Sequence, residues 1–212
     1  MTFKEFHNSM ISFVVFSYAD IHAVFGGIDR RRIYEWCKKG YIIPLIKGYY
    51  LFREFKEAEY LGLLISNKIN DPSYVSTEYV LSTEGLIPES VYSFTAVSTN
   101  KTSEYETSLG SFNYRNIKPE LFMGYTLVNI KINLSGRVLD RHIKVACLEK
   151  AFFDFLYLNK LKMTDQEIDH YRFDTDMLNL MDKDKLFGYA DIAGKKTITL
   201  TLEKILKHHA VY

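Results

Sequence analysis

The chain is almost free of cysteine: Cys37 and Cys147 are the only two in 212 residues, and neither has a second cysteine or a histidine at metal-ligand spacing. A disulfide framework and a CxxC-type zinc site are thereby excluded, and both thiols are expected to be reduced and partly buried. Long apolar runs are missing too. The stretch 10–16 is apolar but short, broken by Ser12, preceded by Lys4, Glu5 and His7 and followed by Asp20, which makes a poor signal peptide and no membrane span. The expected location is cytoplasmic, with no membrane partner. Neither charge is in excess, since 27 Lys and Arg stand against 26 Asp and Glu, and that balance by itself says nothing about a polyanionic partner. Internal repeats and low-complexity segments are absent. With 47% hydrophobic and 25% charged residues the chain has the composition of a folded protein, and its length admits one large domain or two smaller ones. Two is the expectation.

What is present is an uneven distribution of charge. Residues 1–53 hold eight Lys and Arg against four acids, leaving nineteen against twenty-two in the rest of the chain. Such a basic head on an acidic body suggests that the head faces something negative, although scatter of solvated charge could give the same imbalance.

The head reads as helices followed by a hairpin. Phe3, Phe6, Met10 and Ile11 have helical spacing, and the run 12–16 predicts a brief strand. Ser17 is an N-cap for a helix over 18–25, with Asp20 in its first turn, and Gly26-Gly27 ends it. A third helix over about 29–39 stops at Gly40, and 41–46 and 49–52 read as strands joined at Lys47-Gly48. This is the element order of a winged helix-turn-helix. On a wheel of about 100° per residue with Ile33 at zero, Trp36 and Cys37 fall within about 60° of it, whereas Arg31, Glu35 and Lys38 project away and Arg32 and Lys39 flank them. Arg31 is the first choice for base contact, because a guanidinium can reach guanine edges bidentately. Lys38, Lys39 and the wing residue Lys47 suit phosphate, and Tyr49 and Tyr50 read as hairpin core and wall. The competing reading is a solvated basic helix face.

Beyond Phe52 the pattern predicts a helix over 56–69, broken at Asn70-Asp71-Pro72, and a short helix capped by Ser76 and ended by Gly85. Residues 91–147 read as antiparallel strands with turns such as Leu109-Gly110 and Ser135-Gly136. A helix over 148–159 carries Ala151, Phe152, Phe155, Leu156 and Leu158 on one face, with Glu149, Lys150 and Asp154 away from it. Four more helices are expected over 164–171, 177–180, 184–190 and 198–209. The fold class is therefore α+β: a winged helix-turn-helix over 1–54, then a larger domain over 55–212 with a mainly antiparallel sheet and helices.

Catalytic signals are weak. Gly188 to Thr197 has five residues between its glycines and no preceding strand, so it reads as a helix-terminating turn rather than a phosphate loop. Asp165, Glu167, Asp169, His170, Asp174 and Asp176 are metal-ligand types in no known order, and an acidic surface is the simpler reading. A metal-dependent nuclease using Asp140, Lys144 and Glu149 is the alternative function, with a basic head that binds an acidic protein as a third possibility. There is no GxSxG, and His22, His142 and His170 have no assignable role.

Three segments resemble the AbiEi-type antitoxins of abortive-infection, type IV toxin-antitoxin systems. They are the wing Gly40-Tyr-Ile42 through Gly48-Tyr-Tyr50, the run SYVSTEYVLSTEGLIPE at 73–89, and VACLEKAFFDFLYL at 145–158, with Glu149, Lys150, Ala151 and Asp154 in place. Val80 stands where the family often has Ala. The resemblance implies a transcriptional autoregulator that binds inverted repeats in duplex DNA and counteracts a nucleotidyltransferase-like toxin, without catalysis or cofactor. It assigns DNA binding to Arg30, Arg31, Arg32, Lys38, Lys39 and Lys47. It assigns antitoxin action to no residue, and Glu149, Lys150 and Asp154 can equally be determinants of the fold.

Overall fold

The computed structural model describes residues 1–134, 137–160 and 163–211, so the Ser135-Gly136 turn lies outside the described residues. The chain is α+β. Its first part contains α1 (Phe3–Met10), β1 (Val15–Ser17), α2 (Tyr18–Phe25), α3 (Arg30–Lys38), β2 (Ile42–Ile46) and β3 (Tyr49–Phe52). These strands form an antiparallel sheet in the order β1-β3-β2. Local chemistry sets the helix ends. The Ser17 hydroxyl accepts from the Asp20 backbone N–H and the Asp20 carboxylate accepts from Ser17, a closed capping box. Gly26 then turns the chain left-handed at φ 70° and ends α2.

The rest contains α4 (Leu61–Ile69), β4 (Ser73–Val75), α5 (Glu78–Thr83), β5 (Phe94–Ser98), β6 (Ser103–Thr107), β7 (Gly110–Asn116), β8 (Tyr125–Leu134), β9 (Arg137–Ala146) and α6 (Leu148–Asn159). Four helices follow: α7 (Asp165–Tyr171), α8 (Thr175–Leu180), α9 (Lys183–Ala193) and α10 (Lys196–His208). The sheet order is β6-β7-β5-β4-β9-β8. It is mixed rather than simply antiparallel, because β5 runs parallel to β7 and β4 parallel to β9.

Two cores lie on either side of this sheet. Tyr74 and Val97 face α6 and the C-terminal helices. Ala96, Phe112, Tyr114 and Ile143 belong to a second cluster that runs through Leu61 and Ile65 of α4 to Phe6, Phe16, Trp36 and Leu51 of the head. The head and one sheet face therefore share apolar packing.

Several expectations need correction. The helix expected over 56–69 begins at Leu61, because a 3-10 turn at Arg53–Phe55 buries Phe55 completely and Tyr60 turns left-handed at φ 60°. Strand β4 was not anticipated; its three residues are all buried and too few to show alternation. Ser76 caps no helix. Its hydroxyl donates inward to Asp154 Oδ2 at 2.8 Å, and Thr77 precedes α5. Lys150 and Asp154 do not lie on an outer face, because α6 is covered all round and both side chains are fully buried.

Candidate nucleic-acid interface

The geometry of α3 follows from its cap and its apolar side. Asp29 is the N-cap, and its Oδ1 accepts from the Arg31 N–H at 2.9 Å. Ile33 and Trp36 are buried, and the indole sits 4.6 Å from the ring of Phe6 and 5.4 Å from that of Phe3. Anchoring this side in the core leaves Arg30, Arg31, Arg32 and Lys38 on the open side of the helix. Lys39 at its C-cap and Lys47 in the hairpin turn are exposed as well. From Arg30 to Lys38 the helix rises about 12 Å, comparable to the width of a DNA major groove, about 12 Å.

The three arginines stand in the first turn, where the helix dipole favours acids, and no acid is present there. Two of them are oriented by neighbours. The Arg30 guanidinium lies over the Tyr18 ring at 5.2 Å, and Arg32 donates to the Met1 carbonyl. Among the described residues, the Arg31 side chain makes no such contact, and it is exposed. Tyr18 also joins this end of α3 to the hairpin: its N–H donates to the Gly48 carbonyl at 3.1 Å, and its hydroxyl accepts from Tyr50 at 3.1 Å. Gly48 has φ 85°, a value open to glycine, which lets the Lys47-Gly48 turn close against α2. The N-termini of α2 and α3 and the hairpin turn thus share one surface. Tyr34, 70% exposed and one residue after Ile33, lies on this surface as well. Helical projection places it at about 100° from Ile33, between Arg30 and Lys38, a position readable from the sequence.

Tyr49 and Tyr50 are half-buried, with Tyr50 stacked on Phe16 at 5.9 Å, so they form hairpin wall. Burial pushes the Cys37 thiol up, which keeps it protonated and makes it a packing group of α3.

The other candidate groups are dispersed. Gly188 lies inside α9, and Gly194 is that helix's left-handed C-cap. Among the acids, Glu167 closes a capping box with Thr164, Asp165 pairs with Lys204 at 3.0 Å, Asp169 with His208 at 2.8 Å, and Asp174 caps α8. Among the described residues, no three His, Cys, Asp or Glu side chains are grouped to hold a metal ion. Of the alternative nuclease residues, Lys144 pairs with Asp71 at 3.3 Å, and Glu149 accepts from the Asp182 N–H at 3.2 Å and from Lys185 at 3.5 Å. Asp140 is exposed on β9. These three side chains serve different neighbours and do not converge.

Lys150 and Asp154 form a buried ion pair one helical turn apart. The Asp154 carboxylate also accepts from the Tyr74 and Ser76 hydroxyls, each at 2.8 Å, and the Lys150 ammonium lies 5.0 Å from the Phe153 ring. Burial pushes the carboxyl up and the ammonium down against their mutual attraction. This network ties α6 to β4, so the two residues act here as determinants of the fold.

Among the described residues, no helix is long and apolar enough to cross a membrane. No protein-family model and no curated protein matches the chain.

Proposed function

We propose that residues 1–54 act as a winged helix-turn-helix, with α3 as the recognition helix and the β2–β3 turn as the wing, and that the protein is a DNA-binding transcriptional regulator. The observation that carries this reading is the division of α3. Its apolar side is locked in the head core, and Arg30, Arg31, Arg32 and Lys38 stand exposed around the rest of the helix, with Lys39 at its C-cap and Lys47 in the hairpin turn exposed as well. Three arginines crowded into a first turn cost local stability, and a polyanion laid across them removes that repulsion. Arg31, whose side chain has no partner among the described residues, reads a base edge; Lys38, Lys39 and Lys47 contact phosphate.

Competition binding on the DNA upstream of the coding sequence tests this. Arg31→Ala is expected to relax sequence preference by about 1–3 kcal/mol at one position, whereas Lys47→Ala weakens specific and unspecific DNA alike. Equal effects of the two changes on both DNAs would reject the assignment of Arg31.

The resemblance to AbiEi-type antitoxins supports a second role, neutralisation of a nucleotidyltransferase-like toxin, carried out without catalysis. Co-expression of the full chain with a nucleotidyltransferase from an adjacent gene should restore growth. Continued arrest with both proteins present would remove that role.

A further inference from the structure

On the α6 side of the sheet, a cavity of about 460 Å³ opens between the start of α5 and strands β5, β7 and β6. Register places Thr95, Asn113 and Glu104 in one row across those strands, and Arg115 follows Asn113 by two residues on the same face. Thr77 and Glu78 close the cavity from above.

Thr77 is the unusual residue. It is 3% exposed, has φ 55° and ψ −138°, and its hydroxyl has no hydrogen-bond partner among the described residues. A β-branched residue at that φ is strained, and an unpaired buried hydroxyl adds a desolvation cost. The surroundings enforce the conformation. The Thr95 hydroxyl donates to the Ser76 carbonyl at 2.6 Å and accepts from the Tyr79 N–H at 3.0 Å, gripping the chain on both sides of Thr77. Arg115 is equally fixed, donating to the Leu158 carbonyl at 2.8 Å and to Asn159 Oδ1 at 3.2 Å, which leaves three of its five N–H donors. By contrast, the side chains of Glu78, Glu104 and Asn113 have no hydrogen-bond or ion-pair partner among the described residues.

We propose that this cavity binds a small zwitterion of the α-amino-acid type. The two uncommitted carboxylates, Glu78 and Glu104, receive its ammonium, and the remaining N–H groups of Arg115 receive its carboxylate. Asn113 supplies a neutral hydrogen bond, and the gripped backbone at Thr77 holds the adjoining Glu78 at the cavity. A ligand of one sign would meet only the carboxylates or only the guanidinium, whereas a zwitterion meets both.

The test is thermal unfolding of the full chain with single amino acids (glycine, alanine, serine, glutamate, lysine or leucine), each at about 10 mM, alongside lactate, ethylamine and magnesium chloride. At least one amino acid should raise the midpoint in a concentration-dependent way, and the three controls should not. Glu104→Gln should weaken that ligand about tenfold or more, and Asn113→Ala should weaken it too. Both variants should keep a ligand-free midpoint close to that of the unaltered chain, since neither side chain has a hydrogen-bond or ion-pair partner among the described residues. The proposal is overturned if no amino acid shifts the midpoint, if the shift survives Glu104→Gln, or if lactate, ethylamine or magnesium alone reproduces it.

Discussion

At the scale of single residues, two positions invert ordinary expectation. Gly62 lies inside α4, where alanine normally gains about 1 kcal/mol. A Cβ at that point would fall within the ring of Phe94, which stacks on Phe112 at 5.1 Å and lies 5.2 Å from Tyr79. Gly62→Ala should therefore lower stability by about 1–3 kcal/mol, seen as a lower urea midpoint at unchanged slope. The second is the buried pair Lys150–Asp154. Removing one partner strands the other charge in the core, so Asp154→Ala should cost about 3–5 kcal/mol. The double change Lys150→Met with Asp154→Leu should cost less than the sum of the single ones, because it leaves no charge behind. A denaturation cycle over the four proteins measures both, and additive losses would contradict the coupling.

At the scale of elements, caps and edges decide where helices and strands hold. Burial alone would raise the Asp20 carboxyl, but the Ser17 hydroxyl, the Lys68 ammonium and the Ser17 N–H together hold it below the usual aspartate range. A carboxyl lowered by folding contributes stability that is present above its unfolded value, about 3.9, and is lost as pH falls through the lower folded one. The melting temperature should accordingly drop as pH falls below about 4, and Asp20→Asn should flatten that acid limb while lowering the melting temperature at pH 7. An unchanged limb in the variant would show that the capping box does not set it. Strand β9 outruns β4, which it meets only at Val75↔Val145, and Asn67 of α4 substitutes for the missing neighbour. Its carbonyl accepts from the Lys144 N–H at 2.5 Å and its amide donates to the Lys144 carbonyl at 3.3 Å.

These elements also show what could be read in advance. The ends of α2 and α3 and the span of α6 were legible, because Ser17, Gly26, Gly40 and the apolar spacing act within a few residues. The inward turn of Ser76, the strain at Thr77 and the burial of Lys150 and Asp154 were not, because they depend on groups distant in the chain: Asp154 for Ser76, Thr95 for Thr77, and Tyr74 and its neighbours for the buried pair. Within the candidate interface, projection from Ile33 predicts the exposure of Arg31, Arg32, Lys38 and Lys39, whereas Lys47 follows from the hairpin turn and Arg30 from the family resemblance. The same projection places Tyr34, 70% exposed, at about 100° from Ile33.

At the scale of the whole molecule, the head is joined to the sheet through a common apolar cluster, so α3 is presented from a fixed base. The basic excess in residues 1–53 and the acidic excess elsewhere orient the chain in the field of a polyanion, head first. The proposed regulator role rests on that orientation and on the open side of α3. Its most direct test is the affinity of the full chain for upstream DNA over a salt series from about 50 to 200 mM. If each head neutralises about four phosphates, log K falls against log salt with a slope near about −4, and a variant lacking the three arginines shows a shallower slope. Affinity that does not respond to salt, or no affinity at all, would contradict a DNA-binding head.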